Sequence, residues 1–113
     1  MNRAPYYAHL YTILATKSKE YGYALALHGS MQRDLDIIAI PWIDNAAEPI
    51  ELIRALEQIS GGFCVPRTTT NGVVTPPYDP VLKPHGRMAW SIALSNNGPK
   101  GPYIDISVVP KQQ

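Results

Sequence analysis

Ala24-Leu25-Ala26-Leu27-His28-Gly29-Ser30-Met31-Gln32-Arg33-Asp34-Leu35-Asp36-Ile37-Ile38-Ala39-Ile40 is the stretch whose reading decides the fold. Two apolar runs of strand length flank a short turn that holds a Gly-Ser pair, followed by two aspartates on alternate positions. Residues i and i+2 of a strand project from one face, so Asp34 and Asp36 are expected side by side just past the turn. Only the six residues His28 to Arg33 join the runs. That is too few for a parallel crossover and predicts antiparallel neighbours. Unbroken apolar character predicts that both strands, Tyr23 to Leu27 and Leu35 to Trp42, are buried on both faces.

The chemistry of this turn favours an anion or a hard cation. Magnesium is commonly held by one or two carboxylates together with phosphate oxygens. A glycine followed by a small hydroxyl residue lets backbone N–H groups approach a phosphate, as Gly29 and Ser30 would. His28 either touches such a phosphate or is an ordinary hydrogen-bonded residue at a strand end. Arg33 either serves the same anion or neutralises Asp34 and leaves the aspartates a plain surface feature.

Outward from this stretch, Pro5 opens a first helix with Tyr7, Leu10, Leu14 and Tyr21 along one stripe, and Gly22 stops it. Pro49, with Glu48 and Glu51 in its first turn, opens a second helix whose core face is Leu52, Ile53, Leu56 and Ile59, ending at Gly61-Gly62. Phe63-Cys64-Val65 reads as a short strand, with Cys64 a small buried hydrophobe. Residues 66–87 form a proline-rich segment too long to be an idle connection, and it is expected to be a binding loop. Asn71-Gly72 within it predicts a small hairpin through Val73 and Val74. The loop supplies Arg67, Thr68, Thr69, Lys83, His85 and Arg87 as a phosphate-binding set, against Asp79 as its one acid, and Tyr78 as a candidate to stack on a base. The bland alternative is a solvated loop whose basic groups never converge. Met88 to Leu94 and Tyr103 to Val109 predict a terminal hairpin, with Asp105 and Ser107 on the face opposite Ile104, Ile106 and Val108. The sum is an α+β fold: two helices packed on a mixed, mainly antiparallel sheet of four to five strands.

Gly29-Ser30, then Asp34-Leu35-Asp36, then Asp105 within Tyr103-Ile104-Asp105-Ile106-Ser107 resemble the nucleotidyltransferase superfamily related to DNA polymerase beta. The resemblance extends to small bacteriophage-encoded proteins of that type. It implies metal ions on Asp34, Asp36 and Asp105, and a nucleoside triphosphate over the Gly-Ser turn. Only Met31, Gln32 and Arg33 separate Gly-Ser from the aspartates, where the family has a longer connection, so the triphosphate platform is abbreviated. The expectation is therefore a reduced scaffold that binds a nucleotide or nucleotide-derived signal without turning it over; in a phage, such a protein would sequester a host defence messenger. The alternatives are an active magnesium-dependent nucleotidyltransferase using the three aspartates, and a protein-binding inhibitor acting through the proline-rich loop.

Composition bounds these readings. The chain has 113 residues, 45% hydrophobic and 17% charged, which suits a single soluble domain. A net charge of +1 gives no bulk drive toward nucleic acid or an anionic membrane, so an anion site must be local. One cysteine excludes an internal disulfide. No apolar run approaches the roughly 20 residues that span a bilayer, and no signal-peptide pattern opens the chain, so a cytoplasmic location is expected, in the bacterial host if phage-encoded. Homo-oligomerisation is left open.

Overall fold

Helix α1, Ala4–Glu20, starts where Ala4 N–H donates to Asn2 Oδ1 at 2.8 Å and Pro5 occupies the first turn, in a computed structural model that describes residues 2–96 and 100–111. Its buried stripe is Tyr7, Leu10, Leu14 and Ser18, with Tyr21 only partly covered beyond the helix end. Two strands follow, β1 (Tyr23–His28) and β2 (Leu35–Pro41), paired antiparallel as their short connection requires. Helix α2, Pro49–Ser60, begins with Glu51 reaching back to the Glu48 N–H at 3.2 Å, and ends on Gly61 in the left-handed conformation. It buries Leu52, Ile53, Ala55 and Leu56, whereas Ile59, expected in the core, is 42% exposed.

The remaining strands are β3 (Phe63–Cys64), β4 (Val81–Leu82), β5 (Met88–Ala93) and β6 (Tyr103–Val108). The sheet runs β1-β2-β6-β5-β3, with β4 also on β5, and only β2 and β6 are parallel. It has six strands where four or five were expected, because the proline-rich loop leaves one edge of β5 as β3 and returns to the same edge as β4. The two helices cover one face. Leu35, Ile37, Ala39, Ile92, Ile104, Ile106 and Val108 are buried there in one cluster with Tyr7, Leu14, Leu52 and Leu56. Cys64 joins them as expected, and burial, with the nearby Glu57 carboxylate, pushes its thiol up to about 12.

The other face of the sheet is not covered by a helix, which corrects the reading of β1 and β2 as buried on both sides. In β2 burial alternates, with Asp36 and Ile38 half-buried and Ile40 exposed. β1 is an edge strand in which Leu27 is 44% exposed. Continuous hydrophobicity here belongs to an edge strand and to a face that opens on a cavity, not to a strand beneath a second helical layer. The free edge of β1 is partly closed by the Tyr11 hydroxyl, which donates to the Leu25 carbonyl at 2.8 Å. No helix of the described residues is long and apolar enough to cross a membrane.

Candidate functional site

The open face of the sheet forms the floor of a cavity of about 670 Å³. Strand register aligns its polar groups. His28 lies opposite Asp36 on the antiparallel pair, Asp36 opposite Asp105 on the parallel pair, and Asp105 opposite Ser91 on the terminal hairpin. These four residues make one row across four strands, directed away from the helices. Asp36 and Asp105 stand side by side in the parallel register, and Ser91 Oγ donates to Asp105 Oδ1 at 2.7 Å. The next row, two residues along, is mostly apolar: Ile38, Ser107, Ala89 and Val81. Ala89 and Ser91 line the cavity.

The proline-rich loop supplies the basic wall. Lys83 and Arg87 close a tight turn through a 2.9 Å bond from Lys83 N–H to the Arg87 carbonyl, which sets both at the same end of the cavity. Arg87 Nη1 donates to Ser107 Oγ at 3.2 Å. Arg67 lines the cavity as an ion pair with Asp79, at 2.9 Å, and its buried Nε meets no acceptor among the described residues.

Of the residues singled out in the sequence, His28, Asp36, Arg67, Lys83, Arg87 and Asp105 therefore meet at one cavity. Asp34 precedes β2 and does not line the cavity, although its charge and that of Asp105 act on each other. Arg33 offsets Asp34 electrostatically and uses its carbonyl to accept the Tyr7 hydroxyl. Gly29 and Ser30 are exposed at the turn. The left-handed φ of +85° at Gly29 admits a side chain poorly, and a Cβ there would stand 3.1 Å from Asp36 Oδ2. Thr68 and Thr69 belong to the small hairpin expected at Asn71-Gly72, which Thr69 N–H closes on the Val73 carbonyl at 2.8 Å. His85 is exposed at the tip between Lys83 and Arg87 with φ +65°. Tyr78 is turned to α2, its hydroxyl hydrogen-bonded to Glu57 and its ring 5.0 Å from the Arg54 guanidinium. It anchors the loop, its carbonyl accepting Trp90 Nε1–H at 2.9 Å. Ser91, Ser107 and Asp79 were not singled out as site residues; for Ser91 and Ser107 a polar residue at an alternate position of an apolar strand is a readable sign, whereas Asp79 lies in the loop. Among the described residues no group of three or more His, Cys, Asp and Glu is arranged to hold a metal ion; the fit to magnesium is limited to the Asp36 and Asp105 pair.

Burial raises the Asp36 carboxyl above its usual range. The Asp105 and Asp34 charges and the hydrogen bond to Asp105 raise it further, against a lowering by His28. The folded protein thus holds this proton more tightly than the unfolded chain does. The stability it contributes is complete below the ordinary value of 3.8 and is lost as pH rises through the raised value. Asp36→Asn is accordingly expected to raise the melting temperature at pH 7 by a few degrees, on the order of 0.5 to 1 kcal/mol for relieving like charges placed directly opposite. The gain should disappear near pH 3, and melting curves that show no gain at pH 7 would refute it.

No protein-family model matches the chain, and neither does any curated protein.

Proposed function

We propose that this protein binds a nucleotide or nucleotide-derived small molecule in the cavity on the open face of the sheet and holds it without turnover. The observation that carries this reading is the convergence of Lys83, Arg87 and Arg67 from one loop on a cavity whose floor is Asp36 and Asp105. Arginine and lysine donors at one end suit phosphate oxygens, and apolar lining between the polar ends suits a sugar and a base. The off-cavity position of Asp34 and the short Gly-Ser connection favour capture over two-metal transfer chemistry. The second reading, a magnesium-dependent nucleotidyltransferase, draws its support from the adjacent Asp36 and Asp105 carboxyls. With either reading we place the protein in the cytoplasm, of the bacterial host if it is phage-encoded; under the capture reading it would sequester a defence messenger there.

Thermal denaturation against nucleoside mono-, di- and triphosphates and cyclic dinucleotides, each with magnesium or with chelator, tests the proposal. A ligand at a hundred times its Kd is expected to add about 2.7 kcal/mol, which is roughly 10 °C for a domain of this size. Arg87→Ala is expected to weaken that ligand about ten- to a hundredfold, the scale of a charge-assisted hydrogen bond. Turnover that needs magnesium and disappears in Asp36→Ala would replace capture by transfer. A flat panel would overturn both readings.

A further inference from the structure

Lys83 and Arg87 are the cations of the cavity that no carboxylate claims. Among the described residues neither forms an ion pair, whereas Arg67 is matched by Asp79. Arg87 is also held in place. Its Nε donates to the Pro84 carbonyl at 3.3 Å and its Nη1 to Ser107 Oγ at 3.2 Å, which leaves Nη2 and the Ser107 hydroxyl proton as donors to a ligand. An anion is therefore drawn to the place where Arg87 meets Ser107.

That place is close to the carboxylates. Ser107 lies two residues from Asp105 on the same face of β6, about 7 Å along the strand, and Asp36 stands about 5 Å from Asp105 across the parallel pair. The interval from anion to carboxylates is thus the width of one sugar ring, and a ribose 5′-phosphate spans it from its phosphate to its 2′- and 3′-hydroxyls. The row of residues met there is mixed in character. His28 donates or accepts, Asp36 and Asp105 accept when ionised, and Ser91 gives its proton to Asp105. Such a row does not impose the fixed order of donors and acceptors that reads a base edge. It does suit vicinal hydroxyls, each of which gives one proton to a carboxylate and accepts from a neighbouring donor, the way a carboxylate takes a ribose hydroxyl in dinucleotide sites.

We infer that the cavity reads the sugar of its nucleotide, with the phosphate on Lys83, Arg87 and Ser107 and the ribose 2′- and 3′-hydroxyls on Asp36 and Asp105, so that ribose is preferred to deoxyribose whatever the base. This rests on the nucleotide-binding reading above and adds the identity of the sugar, the role of the carboxylates as its acceptors and Ser107 as a further phosphate ligand.

Calorimetric titration of the full chain, in chelator, with AMP, GMP, CMP and UMP and with the 2′-deoxy and 2′,3′-dideoxy form of each tests it. Within each base, the ribonucleotide is expected to bind at least tenfold more tightly than the 2′-deoxy form and at least a hundredfold more tightly than the dideoxy form, because each missing hydroxyl leaves a desolvated acceptor unpaired. Asp36→Ala and Asp105→Ala should each cut the ratio of ribo- to dideoxynucleotide affinity at least tenfold, whereas a general loss of structure would weaken both ligands alike. Arg87→Ala should weaken both and leave the ratio unchanged. Equal affinity for the three sugars would overturn the inference and leave nucleotide binding standing, and so would a ratio that survives both aspartate substitutions. Binding only on adding magnesium back would overturn it too, by making the carboxyls metal ligands. If none of the monophosphates binds, the inference falls, and the nucleotide-binding reading falls with it when the thermal panel is also flat.

Discussion

Gly22→Ala is expected to destabilise the protein by about 2 to 5 kcal/mol and to lower its melting temperature by 10 °C or more. Gly22 follows the last turn of α1 with φ +86°, a conformation that costs an L-residue roughly 1 to 2 kcal/mol. A Cβ at this position would also stand 2.8 Å from Ala46 Cα and 2.8 Å from Ile43 Cγ1. One of those neighbours is backbone and cannot rotate away, so a packing strain of about 1 to 3 kcal/mol is added. The close approach exists because the chain after β2 folds back over the turn, with Trp42 N–H donating to the Gly22 carbonyl at 3.1 Å and Ala47 N–H to the Tyr21 carbonyl at 2.9 Å. Gly61→Ala is the control. Its φ of +74° is similar, but a Cβ there would meet nothing within 4 Å, so only the backbone part of the cost, about 1 kcal/mol, should appear. Equal losses in the two variants, measured by chemical denaturation, would sink the argument from crowding.

The second large effect is expected at Tyr7. This side chain is fully buried, and its hydroxyl donates to the Arg33 carbonyl at 2.6 Å while accepting the Tyr103 N–H at 3.2 Å. One phenol therefore joins α1 to the turn before β2 and to the first residue of β6. Tyr7→Phe keeps the ring and is expected to cost about 1 to 3 kcal/mol, chiefly by leaving the Tyr103 N–H without an acceptor, since the Arg33 carbonyl also receives Arg3 Nη1 at 3.1 Å. Tyr7→Ala adds the loss of a buried aromatic ring, about 3 to 5 kcal/mol. Against a typical total of about 5 to 15 kcal/mol, that should leave the domain marginal or unfolded at 37 °C. A Tyr7→Phe variant as stable as the parent would mean that the two backbone contacts contribute nothing net.

The elements that local patterning specifies were legible in the sequence. The helix stops at Gly22 and Gly61, the antiparallel pairing of β1 and β2 and the Asn71-Gly72 hairpin each follow from a few adjacent residues, and each is present. The row of site residues was only half legible. Alternation put Asp36 on a face, and the same rule put Asp105 and Ser107 on one. That the two faces coincide depends on the parallel pairing of β2 with β6, which nothing local to either strand announces. Asp34 was grouped with Asp36 because they alternate, but β2 begins at Leu35 and Asp34 belongs to the turn before it. Tyr78 was assigned to a ligand on its residue type alone. Its partner, Glu57, lies 21 residues earlier on a helix, and long-range partners of this kind are invisible to pattern reading.

The place of β6 also bears on how the molecule comes together. The strand between β2 and β5 is the last one along the chain, and the pairing of Leu35 to Ala39 with Ile104 to Val108 closes the longest loop in the sheet. Before Tyr103–Val108 has been synthesised, β1 with β2 and β5 with β3 are separate pairs, each with an open edge where β6 belongs. The sheet, and with it the row that joins Asp36 to Asp105, is therefore completed late, with the slow kinetics of non-local strand pairing and an interval in which unpaired edges are vulnerable to association. An unfinished chain lacks the completed floor of the cavity.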